Sequence, residues 1–266
     1  MQFSITIPLE LPDDLSAEIP QLALAASAGL SAIDWNRDWI GDPVQYDEAL
    51  SDRVGEAVAR YGLRVDSVHG WAGYSLKKAT EHEAHIRLNR NRIAFAGRPG
   101  ARAVILHLPA IHGAPDVEAA IDDASLIIDG LRDAAEKHNV RLAIENLFDE
   151  PEQFGEAFFD ALLDKYPPGF VGYCFDSGHA LVNDRVHYVE RYGQRLIVTH
   201  LHDNDGEYDQ HRVPGQGIGD WERIARAVTA SALDGPVNFE VCPEPDQPIE
   251  EFAADFRRAI LQYFQA

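Results

Sequence analysis

Basic side chains are scarce in this 266-residue chain: 23 Lys and Arg stand against 44 Asp and Glu, a formal charge of −21. A field of that sign opposes approach to a polyanion, so the expected partner is a small molecule rather than a nucleic acid. The lysines are Lys77, Lys78, Lys137 and Lys165, and none falls on a strand-like segment, which leaves Schiff-base chemistry without a nucleophile. Only two cysteines occur. Cys174 and Cys242 lie in apolar, strand-like surroundings and read as reduced core thiols rather than a disulfide. No apolar run approaches the roughly 18 residues of a membrane span, and no positive segment precedes QFSITIP. The expectation is a cytoplasmic protein without a membrane partner. A dinucleotide-type GxGxxG after the first strand and a GxSxG nucleophile turn are both missing. So is any Gly/Ser-rich linker or charge block, which favours one domain over residues 1–266.

What is present is alternation. Eight short β-rich runs, at 2–8, 31–36, 64–70, 102–108, 141–147, 170–176, 195–203 and 236–242, are separated by longer helical patterns. The clearest helices are 117–138, with apolar residues at spacings of three and four and acids in its first turns, and 249–264. Eight repeated βα units without a seam predict an α/β fold of the (β/α)₈ barrel type, closed by eight parallel strands with helices outside. The second unit is the least regular, its strand running into a long loop after IDWN.

Side chains alternate across a strand, so the apolar parity assigns the helix-facing side and the remainder faces the barrel axis. Leu142 and Ile144 turn Glu145 inward; Tyr173 and Phe175 turn Cys174 and Asp176 inward. Ile197, Thr199 and Leu201 leave His200 and His202 inside, and Val237, Phe239 and Val241 leave Asn238, Glu240 and Cys242 inside. By the same rule Val68 places His69, and Val104 with Leu106 places His107, toward the axis. All the ionisable ones sit near the C-terminal ends of their strands, where barrels of this type build their sites. A lone inward Glu is most simply a core ion pair. Three acids with several histidines and few inward Lys or Arg leave too much unpaired charge for that account, and a cation resolves it. Glu145, Asp176, Glu240 and one of His200 or His202 form a mixed oxygen and nitrogen set suited to one divalent ion, Mn²⁺, Zn²⁺, Co²⁺ or Mg²⁺.

The segments IEN at 144–146, FDSGHA at 175–180, THLHDND at 199–205, VPGQGIGDW at 213–221 and FEVCP at 239–243 resemble the xylose isomerase-like barrel superfamily, in particular its sugar isomerase/epimerase branch. The resemblance runs in order over nearly the whole chain. It implies metal ligation by Glu145, Asp176, a seventh-strand histidine and Glu240; the HLxD form of the motif points to His200 and the HxH form to His202, with His200 favoured. It also implies enediolate chemistry on a keto-sugar or polyol, with Glu145 and Glu240 as the acid–base pair and a dehydratase or lyase as a variant of the same chemistry. His69, His107, His179, His202, His211, Trp35 and Trp71 are then expected around the substrate, with Phe148 beside them. The superfamily also includes nucleases of the endonuclease IV class, which bind three zinc ions. Candidates for that larger set stand in order: His69, His107, Glu145, Asp176, His179, His200, Asp209, His211 and Glu240. The alternative reading is therefore a multinuclear zinc phosphodiesterase. In the epimerase branch an arginine that binds substrate precedes the VPGxG loop, and His211 takes its place here. The sequence sets no oligomeric state, and a homo-oligomer is compatible with it.

Overall fold

A computed structural model describes residues 1–9, 11–37, 45–71, 80–108, 114–148 and 154–265. Lys77, Lys78 and most of the irregular loop of the second unit lie outside the described residues. The eight strands are β1 (Phe3–Pro8), β2 (Ala32–Asn36), β3 (Arg64–His69), β4 (Ala103–Leu106), β5 (Arg141–Glu145), β6 (Val171–Asp176), β7 (Leu196–His200) and β8 (Val237–Phe239). The helices interleaved with them are α1 (Pro20–Ser27), α2 (Glu48–Arg60), α3 (Thr80–Gly97), α4 (Val117–His138), α5 (Gly155–Lys165), α6 (Ser177–Val182), α7 (Tyr188–Arg191), α8 (Trp221–Ala230) and α9 (Ile249–Phe264). All strand pairs are parallel, in the order β7-β6-β5-β4-β3-β2-β1-β8. The protein is thus a (β/α)₈ barrel, and the short α6 and α7 are the elements that the periodicity did not announce. Among the described residues no helix is long and apolar enough to cross a membrane.

Local chemistry sets the helix starts. Asp47, Asp116 and Asp220 cap α2, α4 and α8 by accepting the N–H three residues on, and Asn139 ends α4 in the left-handed conformation with φ 54°. The core is layered. Val104, Leu106, Leu142, Ile144, Tyr173, Phe175, Val237 and Phe239 pack outward in the large layer between strands and helices. A small inner cluster of Ala103, Ile105, Ala143, Cys174, Ile197 and Val198 fills the barrel beneath its C-terminal mouth.

Two expectations change at this level. Ile197 belongs to the inner cluster, not to the helix-facing layer, because the β6–β7 register slips between Tyr173 and Cys174 and the extra residue of β7 reverses the alternation. Cys242 is exposed, since β8 ends at Phe239 and the chain past it leaves the barrel; Cys174 alone is a buried thiol, and both are free.

The β7–β8 seam closes the ring through a side chain. Thr199 Oγ1 accepts the Asn238 N–H at 2.9 Å and donates to the Asn238 carbonyl at 3.0 Å, and Leu201 adds backbone bonds to Asn238 and Glu240. Thr199→Val keeps the volume and orphans the buried Asn238 N–H, so it should cost about 1–3 kcal/mol. Chemical denaturation measures this, and an unchanged midpoint would remove Thr199 from the closure.

Candidate functional site

Strand ends bring the expected acids and imidazoles together. Glu145, Asp176 and His200 are the last residues of β5, β6 and β7, His69 ends β3, and His107 and Glu240 follow β4 and β8 directly. All six are buried. His200 Nδ1 lies 2.9 Å from Glu145 Oε1, 3.0 Å from Glu240 Oε2 and 3.9 Å from Asp176 Oδ2. One ligand atom from each of Glu145, Asp176, His200 and Glu240 falls within 4.8 Å of the others, the spacing of a single ion's coordination shell. Glu145 meets other partners through its second oxygen, with His107 Nε2 at 2.8 Å and His69 Nε2 at 3.9 Å, and these three also form a group within 4.8 Å.

A third cluster lies beside these. Asp209 faces His211 Nε2 at 2.8 Å, His179 Nε2 at 3.4 Å and His202 Nε2 at 3.5 Å. His202 also lies 3.1 Å from both Asp176 oxygens and stacks flat on His211, with ring centroids 4.3 Å apart. Backbone carbonyls orient the outer histidines. The Nδ1 of His69, His179 and His211 donates to the carbonyls of Gly70, Asn146 and Glu240, each at 2.8 Å, which turns each Nε2 toward the acids.

Three motif residues explain how the walls hold. Asn146, after Glu145, accepts the Asp176 N–H at 2.9 Å and donates to the Asp176 carbonyl at 2.8 Å, extending the β5–β6 pairing past the strand end. Asp176 caps α6 through the His179 N–H at 2.7 Å, which sets His179 one turn above it. The glycine of FDSGH is required by contact: a Cβ on Gly178 would stand 1.9 Å from His202 Cε1. In the loop after β7, buried Asp203 collects the N–H groups of Gly215, Gly217 and Gly219 and the indole of Trp221 at 2.7–3.1 Å. That nest, with the Asp203–Arg212 backbone bridge, holds His211 at φ 52°, a left-handed conformation unusual for a residue with a side chain.

The aromatic expectations fare differently. Trp35 faces outward from β2 and is fully buried against Tyr46 and Phe95, with centroids 4.9 and 4.5 Å away, so it is core and not a substrate platform. The parity that buries Trp35 turns Asp34 inward, an acid the motifs did not mark. Trp71 is buried next to His85. Phe148, 43% exposed and 5.4 Å from His179, is the aromatic that remains open at the mouth.

Electrostatics follow from histidines doing the work of absent cations. Burial pushes Glu145 and Glu240 up, but His200, with His107 on Glu145, outweighs it and holds both carboxyls below their usual range. Burial likewise opposes charge on His211, and the Asp209 hydrogen bond and the Glu240 charge reverse that, raising it to about 9. His200 and His179 are also raised well above the ordinary imidazole value: burial acts downward on both, with Glu145 and Glu240 opposing it at His200, and Asp176 and Asp209 at His179. Burial keeps the Cys174 thiol well above its ordinary value, so it stays neutral beneath the acids. A cation entering this set must displace protons held by His200, so its affinity should fall as pH falls. Calorimetric titration at pH 7 in two buffers of different ionisation enthalpy should report at least one proton released per ion bound. Zero release would contradict this charge assignment. In the metal-free protein the His211–Asp209 pair contributes stability below about pH 6.5 that is lost as pH rises through about 9.

The family model described as xylose isomerase-like TIM barrel matches residues 22–259. Among curated proteins, uncharacterized protein y4fM of Sinorhizobium fredii is 30% identical over 250 residues, covering 82% of this chain and 79% of that one. Among solved structures, a D-psicose 3-epimerase in the presence of D-fructose superposes with TM-score 0.75 at 16% identity, over 100% of both chains. An IOLI protein with a binding zinc atom does so with TM-score 0.77 at 16% identity, again over 100% of both. Likeness at that identity is one of fold, whereas the family match spans most of the sequence. The chain belongs to the xylose isomerase-like TIM-barrel family.

Proposed function

We propose that the protein is a divalent-metal-dependent isomerase or epimerase of a keto-sugar or polyol, acting at the C-terminal mouth of the barrel. The observation that carries this reading is the buried set Glu145, Asp176, His200 and Glu240, whose ligand atoms lie within 4.8 Å of one another. Its three carboxylates and one imidazole suit Mn²⁺, Zn²⁺, Co²⁺ or Mg²⁺. Among the described residues the ion pairs of Glu145, Asp176 and Glu240 are with histidines only, so no Lys or Arg already fills the role of the cation. A divalent ion there would supply polarisation of a carbonyl and its neighbouring hydroxyl.

The chain's own groups do the rest. Glu145 on β5 and Glu240 after β8 are separated by β6 and β7 and converge on the same imidazole nitrogen, the arrangement needed for one carboxylate to take a proton beside the carbonyl and the other to return it. His69, His107, His179, His202 and His211 offer polar walls for hydroxyl groups, and Phe148 offers a face for the apolar side of a sugar. A dehydratase or lyase would use the same proton removal. The small-molecule partner accords with the −21 charge, and the sugar epimerase named among the structural neighbours supports the substrate class.

A second reading, a three-zinc phosphodiesterase, is favoured by one specific observation. His69, His107 and Glu145 form a second ligand group, and Asp209 lies 3.4 Å from His179 Nε2 and 2.8 Å from His211 Nε2, with carbonyl-oriented Nε2 atoms in both clusters. Such orientation is what metal-ligating histidines receive. Against it stand the scarcity of lysine and the overall charge, which give a DNA backbone little to hold.

Glu145→Gln and Glu240→Gln should each lower turnover by about 10²–10⁴-fold while the fold survives. Near-wild-type activity in either would refute the acid–base assignment. Chelation should remove activity and lower the melting temperature, because an ion bound only by the folded chain stabilises it. Under the sugar reading, ketose turnover in D₂O places deuterium beside the carbonyl, and His69→Ala and His211→Ala keep one metal per chain and mainly raise KM. Three metals per chain, stripped by those same substitutions, with efficient cleavage of abasic DNA, would replace the isomerase by the hydrolase.

A further inference from the structure

A polar column runs up the inside of the barrel beneath the acids. Ser4 Oγ donates to Asn238 Oδ1 at 2.8 Å, Asn238 Nδ2 donates to Thr6 Oγ1 at 2.8 Å, and Thr6 Oγ1 donates to Asp34 Oδ2 at 3.3 Å. All four side chains are buried, Asp34 completely. The direction of the column is forced from its top. A carboxylate accepts, so Thr6 must give its one proton to Asp34 and take one from the Asn238 amide, whose oxygen is then left for Ser4. No step of the column gives Asp34 anything to donate to.

The atom above Asp34 is His200 Nε2, 3.7 Å from Asp34 Oδ2, an ion-pair separation. Among the described residues neither His200 Nε2 nor Asp34 Oδ1 has a hydrogen-bond partner, although both are buried. A buried acceptor therefore faces a buried ring nitrogen at the far side of the imidazole from Glu145 and Glu240. Only a protonated Nε2 suits that neighbour, and a neutral ring protonated at Nε2 carries its lone pair on Nδ1, the atom that points at Glu145, Glu240 and Asp176.

We propose that Asp34 is the positioning residue of the metal centre: it selects the His200 tautomer whose Nδ1 is free to ligate and locks the ring's orientation. This rests on the single-ion reading above and deepens it. His69, His179 and His211 take their orientation from backbone carbonyls, which accept from Nδ1 and turn Nε2 inward. His200 needs the opposite arrangement, and a side chain from β2 across the barrel supplies it. Asp34 touches no substrate in this scheme. Its effect is on what His200 can hold.

Asp34→Asn tests the proposal at nearly constant shape. The oxygen that accepts from Thr6 is also the one nearest His200 Nε2, so the amide presents there either an uncharged oxygen or its NH₂, and in both cases the anionic acceptor for the Nε2 proton is lost. Zn²⁺ titration by calorimetry should show wild-type protein binding the ion and Asp34→Asn binding it about 10–100-fold more weakly. In ¹⁵N-histidine spectra of the Zn²⁺-loaded wild type, His200 should show a protonated Nε2 and a metal-shifted Nδ1. Equal Zn²⁺ affinity in a folded Asp34→Asn overturns the positioning role, as does a wild-type spectrum with Nδ1 protonated and Nε2 bound. Should the variant not fold, the spectrum of the wild type decides alone. Failure of the wild type itself to bind Zn²⁺, Mn²⁺, Co²⁺ or Mg²⁺ would instead sink the metal reading, which keeps the two failures distinct.

Discussion

Three carboxylates that end or follow strands of one barrel must be compensated, and this constraint organises the mouth of the protein. Glu145, Asp176 and Glu240 are buried, and burying an uncompensated charge costs several kcal/mol. Histidine is the compensating side chain throughout. It can carry a proton when an acid needs one and present a lone pair when a cation takes the proton's place. His200 stands at the centre of the arrangement, between Glu145 and Glu240 on one side of its ring and Asp34 on the other. A cluster tuned in this way would exchange protons for a divalent ion, under the proposed reading, without leaving a buried charge unpaired.

The surrounding structure keeps the histidines in place by main-chain means. Carbonyls of Gly70, Asn146 and Glu240 fix three rings, and Asp176 does double duty as the cap of α6. The loop after β7 depends on one buried acid. Asp203 binds the glycine N–H groups and the indole that follow it, and thereby holds Asp209 and His211 against the mouth despite the unfavourable backbone of His211. The glycines of that loop exist for the close approach: a Cβ on Gly217 would stand 2.1 Å from the Asn204 carbonyl.

The strand alternation made much of this legible. A period of two identifies the eight strands, separates Glu145, Asp176, His200 and Glu240 from the helix-facing residues, and so brings the ligand candidates to one axis. It misplaces residues where the period breaks. Ile197 follows a register slip, Cys242 lies beyond the end of β8, and Trp35 belongs to the strand body rather than to the loop after it. Asp34 escaped because it sits one turn of the pleat below the motif-bearing strand ends, and its partners come from β1 and β7, remote in sequence. The Asp203 nest is equally non-local in its logic, since neither an aspartate nor a run of glycines announces that the one binds the other. Motif order, by contrast, carried the family membership, because five short segments on the right strands constrain far more than any one of them.

Anomalous diffraction from crystals grown with Zn²⁺, recorded on both sides of the zinc absorption edge, tests the central claim most directly. One peak per chain is predicted, at about 2.0–2.2 Å from His200 Nδ1 and from carboxylate oxygens of Glu145, Asp176 and Glu240. A map with no peak inside that set, or with peaks of equal height among His69, His107 and Glu145 and among His179, Asp209 and His211, would contradict it.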